Sequence, residues 1–270
     1  MDILIDTLKD TYTIFPTLFI MYLFLEYLDH HNKSYENYFF KYGPLYGALL
    51  GVIPQCGFSI IASLLFIENK VTLGTLISVF IATSDEAIPI LIAKPSMYSS
   101  LIVLLLMKFI IAIIVGYLVD FIFKNKINQY SFIKSTHSHE HHIFIEALVR
   151  TLKVYTFIFI IHFVLSFFIE KLGYDTLSQI LMNQSLFQPI ISALFGFIPN
   201  CASSLILTEL YIHHTLSFAS LIAGLITNAG LGLVILIKNH VDIKVILKIC
   251  LILFFTSLII GLPLQFFYLS

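Results

Sequence analysis

The feature that most limits what this chain can become is how far it runs without a charge. Residues 99–119 contain a single charged side chain, Lys108, and residues 246–267 contain only Lys248. A helix crossing the hydrocarbon core of a bilayer needs about 20 such residues. A buried core helix of a soluble domain would show a polar face, and these segments have none. A soluble domain also carries roughly 25% charged residues, whereas this chain has 11%. The sequence therefore predicts an all-α integral membrane protein. The net charge of −1 argues against a nucleic-acid partner. Cys56, Cys201 and Cys250 all lie in apolar stretches, which is not the pattern of a disulfide framework. The acidic start, MDILID, predicts no cleavable signal peptide, and Asp2 excludes myristoylation.

The chain divides and repeats. Residues 1–123 and 147–270 read as two membrane halves, joined by a polar, His-rich loop at 124–146. Laying residues 44–87 over 189–232, at a constant offset of 145, gives 14 identities in 44 positions without a gap. The best match is GVIPQCGFS (51–59) over GFIPNCASS (196–204). Hydrophobic bias aligns Leu and Ile freely, but not Pro, Cys and Gly in register. The first half predicts a span at 12–28, an apolar stretch at 44–67 broken at 54–57, another at 71–92 broken near 84–89, and a clean span at 98–123. The second half predicts 147–169, then 186–212 broken at 199–201, 216–237 broken at 228–232, and 243–269. Counting the short arms around each Pro-x-Cys separately gives about ten transmembrane or half-membrane helices.

Basic residues orient such a chain, because Lys and Arg favour the cytoplasmic side. With both termini outside, eleven of the 15 basic residues are cytoplasmic or at that interface (Lys33, Lys41, Lys70, Lys124, Lys126, Lys134, Arg150, Lys153, Lys238, Lys244 and Lys248). Only Lys9, Lys94 and Lys171 are external, and Lys108 lies inside a span. Each half then has an odd number of crossings, so the second enters with opposite orientation. Two inverted-topology repeats with broken helices, in a plasma membrane, are the plan of many secondary transporters.

Three groups of residues could carry chemistry. At the Pro-x-Cys breaks, Pro54 and Pro199 remove a backbone donor and free the carbonyls before them. Unpaired backbone in lipid costs several kcal/mol, so a break persists only against protein or a water-filled cavity. Gln55, Cys56, Ser59, Asn200, Cys201, Ser203 and Ser204 add ligands there. The plain alternative is a packing kink built from small residues. The second group is TSDEAIP (83–89), where Ser84, Asp85 and Glu86 interrupt an apolar run. Carboxylates in that setting hold a cation, carry protons, or pair with a lysine such as Lys108. Its repeat mate, around Asn228, has no acid. The third group is His137, His139, His141 and His142 with Glu140, read as a cytoplasmic metal-capturing loop or as a polar linker. Weaker candidates are His162, Glu26, Asp29, Asp120 and Glu209, the acids mostly near span ends.

With IPQCGFS (53–59), ATSDEAIP (82–89), IPNCASS (198–204), residues 224–233 and the His-bearing loop in this order, the sequence resembles the ten-span heavy-metal exporters, a group labelled both arsenic efflux protein and manganese transporter. The resemblance spans nearly the whole chain. It implies ten membrane segments and export of a metal or metalloid. Trivalent arsenic is soft and wants the thiols of Cys56 and Cys201; manganese is hard and wants the oxygens of Asp85, Glu86, Gln55, Asn200 and Asn228. The oxygens outnumber the sulfurs and favour a divalent cation.

The reading is a membrane transporter, not an enzyme, that exports a metal cation or trivalent arsenical without a resident cofactor. No G-x-x-x-x-G-K-[ST] motif is present, so an ion gradient, a partner subunit or the membrane potential would supply the energy. The partners expected are the transported ion and the bilayer, and a homo-oligomer is compatible with both. The rival readings are a gradient-driven permease for an anion or small organic solute, with its substrate at the half-helix N-termini, and an intramembrane enzyme, for which no nucleophile–base spacing exists.

Overall fold

A computed structural model describes residues 15–16, 19, 36–53, 57–84, 87–123, 148–149, 151–152, 155–156, 159–160, 163, 185–199 and 201–269, with backbone alone at 36–41, 201–202 and 268–269. The loop 124–146 and almost all of the spans expected at 12–28 and 147–169 lie outside the described residues. Within the described residues the chain is helical and contains no strand. The helices are α1 (Glu36–Gly51), α2 (Gly57–Ile67), α3 (Leu73–Ala82), α4 (Ala87–Ile92), α5 (Tyr98–Phe123), α6 (Gln188–Gly196), α7 (Cys201–Ile212), α8 (Phe218–Thr227), α9 (Gly232–Lys238) and α10 (Ile243–Leu269). A 3₁₀ turn, Pro95–Met97, leads into α5.

Among the described residues, four helical stretches are long and apolar enough to cross a membrane: Leu73–Ile92, Pro95–Phe123, Phe218–Lys238 and Ile243–Phe267. They sort into two kinds. The two interrupted spans are 81% and 94% buried, while α5 and α10 are 33% and 39% buried. The broken spans therefore form the centre, and the unbroken ones face outward. Ile102, Leu106, Ile110 and Ile114 on α5, and Leu247, Leu251, Phe255 and Ile259 on α10, are more than half exposed or nearly so at helical spacing. An apolar stripe of that length is compatible with lipid and not with water.

The offset of 145 found in the sequence also relates the elements. Leu73–Ala82 maps onto Phe218–Thr227 without a shift. The N-caps correspond: Thr72 accepts from the amide of Thr75, and Ser217 from that of Ser220. Each cap contributes about 1 kcal/mol. The turns that close α2 and α7 correspond as well. Asn69 and His214 both adopt positive φ (56° and 57°), and Lys70 N bonds Leu65 O as Thr215 N bonds Leu210 O. The halves part company at the next turn, where His240 takes φ 54° but Pro95, its counterpart, cannot and starts the 3₁₀ turn instead.

Close helix contacts repeat too. A Cβ on Gly116 would meet Ser78 Oγ, Pro44 Cβ and Gly74 O; one on Gly261 would meet Ala223 Cβ, Pro189 Cβ and Ala219 O, each the residue 145 further on. Between the halves, α2 packs on α9 and α4 packs on α7. These are the same contact with the roles of the halves exchanged, as a two-fold relation requires. Helices α3 and α8 meet each other across that relation.

Two expected boundaries moved. Helix α1 begins at Glu36, eight residues before the expected start, and runs through Pro44; that proline lies against Gly116 of α5, where a proline ring fills the space above a glycine. Of the break expected near 84–89, the part from Ala87 on is helical instead, and Pro89 sits in the first turn of α4, where a missing amide proton costs nothing.

Candidate functional site

Helix α3 ends at Ala82 and α8 at Thr227, and each end is marked by a change of chemistry. Thr83 caps α3 through its N–H to Val79 O, and its hydroxyl donates to the same carbonyl at 2.7 Å. Asn228 caps α8 through its N–H to Gly224 O. Its Oδ1 accepts from Gly230 N at 3.1 Å, and Gly230 takes φ 55°, which opens the turn into α9. Both breaks leave carbonyls at the C-terminal end of a half-helix, where the dipole is negative.

Lys108 meets these ends. It is the eleventh residue of α5, about 15 Å along the helix at 1.5 Å per residue, and it is fully buried. Its ammonium donates to Thr83 O, to Ser84 Oγ at 2.7 Å and to Leu225 O at 2.9 Å. The acceptors come from both halves: two from the break after α3 and one from the last turn of α8. A buried ammonium is tolerated only when paired and hydrogen-bonded, and these acceptors supply hydrogen bonds to it. Position 108 corresponds to Leu253, which is buried and apolar. The charge belongs to one half alone.

The other predicted residues fall as follows. Ser59 is buried in α2, where its carbonyl accepts from Ser63 Oγ at 2.8 Å. Ser63 Oγ also lies 3.0 Å from Gly232 O, so α2 reaches the start of α9. Ser203 Oγ donates to Ile198 O at 3.1 Å beside the half-buried Pro199, and Ser204 O accepts from Thr208 at 2.7 Å. These last bonds stay within their own segment. Ser84, Lys108 and the last turn of α8 come together; Ser203 and Ser204 are not joined to them by a described bond. Pro54, Gln55, Cys56, Asp85, Glu86, Asn200, His137, His139, His141 and His142 lie outside the described residues, as do the Cys201 side chain, Glu26, Asp29 and His162.

Two further acids have definite roles. Asp120, an acid near the end of its span, accepts from Thr72 Oγ1 at 2.7 Å and from Gly74 N at 2.8 Å, so it caps the start of α3. Its mate is Gln265, which accepts from the N-cap hydroxyl of α8, Ser217 Oγ. Glu209 sits one turn before His213, at 3.7 Å on an exposed face. Sequence reasoning noticed Lys108 only as a partner for acids. The signal that could have singled it out was an ionic residue in the interior of a 26-residue apolar helix whose one other charge, Asp120, lies near its end.

These features define a class: a multi-pass α-helical membrane protein with paired broken helices at its centre, the plan of membrane transporters. The sequence model of one family, described as "Putative, 10TM heavy-metal exporter", matches residues 1–170 and 139–268. The chain belongs to that family, and its function is that of a membrane transporter in a heavy-metal exporter family. No curated protein and no solved structure matches it.

Proposed function

We propose that the protein is a secondary exporter of a divalent metal cation of the manganese kind, or of a trivalent arsenical, working by alternating access between two halves inserted in opposite orientation. The observation that carries this reading is the meeting of two half-helix C-termini, from the two halves, at one buried point midway along α5. Carbonyl ends of broken helices are cation ligands in such transporters. Asp85 and Glu86 follow Ser84 directly in the chain and supply the hard oxygens a divalent cation wants. Cys56 and Cys201 would supply sulfur for a softer substrate.

Opposite insertion is supported by two contacts. Tyr211, near the end of α7, donates to Ser100 at the start of α5 at 2.8 Å. Lys248, near the start of α10, lies 4.6 Å from the ring of Phe123 at the end of α5. The mates α5 and α10 thus run antiparallel. The Lys70 turn and the start of α10, with Lys244 and Lys248, then share one face, and Lys94 takes the other. That is the cytoplasmic bias read from the sequence. The His-rich loop would lie on the same side as Lys70, positioned to gather metal.

The test is transport in proteoliposomes across manganese, zinc, iron, arsenite and methylarsenite. Manganese flux that Asp85→Asn abolishes, and that the double variant Cys56→Ser, Cys201→Ser leaves intact, is expected. Flux of arsenicals alone, abolished by the serine pair, would move the substrate to the soft side; flux of none would remove the exporter reading. The rival anion permease would hold its substrate at half-helix N-termini instead. Competition by oxyanions at the site would turn the assignment that way.

A further inference from the structure

The environment of Lys108 is that of a bound cation. Two of its three described acceptors are main-chain carbonyls at the C-terminal ends of α3 and α8, and the third is the Ser84 hydroxyl. A lysine ammonium carries three donors and a point charge, so it places in that tripod what a small free cation would bring. The tripod is shared between the halves, since Thr83 and Ser84 belong to one and Leu225 to the other. The equivalent position in the second half is Leu253, fully buried, so the arrangement exists once and is not a general requirement of the packing of these spans.

We propose that the Lys108 ammonium is a tethered cation filling a cation-binding site made by the carbonyl ends of α3 and α8, and that a free cation entering this site does so by displacing it. The site itself stands on the geometry; the displacement rests on the transport reading above. While Lys108 is seated, it draws the two broken ends together. A cation that takes its place keeps them together without the tether to α5.

The experiment removes the tether and offers a free substitute. Lys108→Ala leaves two carbonyls and a hydroxyl around a space of ammonium size. The purified full-length variant in detergent is titrated with ammonium chloride, with tetramethylammonium chloride at equal ionic strength as the control, and its melting temperature is followed. A saturable rise of roughly 3–6 °C at about ten times the dissociation constant is expected, for ammonium only and absent in the unaltered protein. No difference between the two salts, or an equal rise in the unaltered protein, overturns the proposal. If Lys108→Ala is not recovered from membranes, Lys108→Gln is carried through the same titration. Recovery of either variant only when ammonium is present counts for the site, and loss of both with and without ammonium counts against it. This readout involves no transported metal. A positive titration beside a failed metal flux leaves the site and sinks the exporter reading; a working flux beside a flat titration does the reverse.

Discussion

At the scale of single residues, the interior charges are matched to main-chain ends. Asp120 sits where two donors at the start of α3 need an acceptor, one hydroxyl and one amide. Gln265 accepts the equivalent hydroxyl bond with a neutral carbonyl, so that bond asks for an acceptor and not for a full charge. Asp120→Ala should therefore lower stability by about 1–2 kcal/mol, the usual cost of losing a cap. Asp120→Asn, which keeps an acceptor, should recover most of it. Thermal melting of the two purified variants side by side checks this, and equal losses would show that the charge matters. Asp120 was legible only as an acid near a span end, because what it bonds lies 46 and 48 positions earlier in the chain. Lys108 was visible as an anomaly, but its acceptor on α8, 117 positions later, was not.

Among elements, the sequence reads best where the pattern is long and worst where it is interrupted. Helices α5 and α10 begin and end where the spans expected at 98–123 and 243–269 do. The start of α1 was missed because its first turns carry Glu36, Asn37 and Lys41, which break the apolar pattern. What fastens α3 to α5 is close approach of glycines: a Cβ on Gly116 would stand 1.9 Å from Ser78 Oγ and 2.9 Å from Gly74 O. Ser78 cannot simply turn away, since it donates to Ala112 O at 2.7 Å. Gly116→Ala should cost about 1–3 kcal/mol through overpacking. The equivalent Gly261→Ala should be milder, because its nearest neighbours are the Cβ atoms of Ala223 and Pro189 at 2.9 and 3.1 Å. Melting temperatures in that order are the expected outcome; a reversed order would refute the account of this contact.

For the molecule as a whole, the repeat was legible from Pro, Cys and Gly in register, and the structure adds how the halves engage: α2 on α9, α4 on α7, α3 on α8. No pairwise pattern within either half could have revealed these contacts, since each half alone offers the partner surface only to the other. Opposite insertion predicts which turns share a side of the membrane. Single cysteines at Asn69 and His240, in a background where Cys56, Cys201 and Cys250 are replaced, should react with a membrane-impermeant maleimide from the cytoplasmic side only. Cysteines at Ser96 and His214 should react from outside only. Labelling of all four from one side would end the opposed arrangement. The seat of Lys108, about halfway along a helix that spans the bilayer, has an electrical consequence as well. A positive charge held there stands near the midpoint of the transmembrane voltage drop, so shifting it fully to either surface takes or releases about 1.2 kcal/mol per 100 mV. Resting polarity, negative within, pulls it toward the cytoplasm, so the voltage itself biases which way the tether leans when its seat is taken.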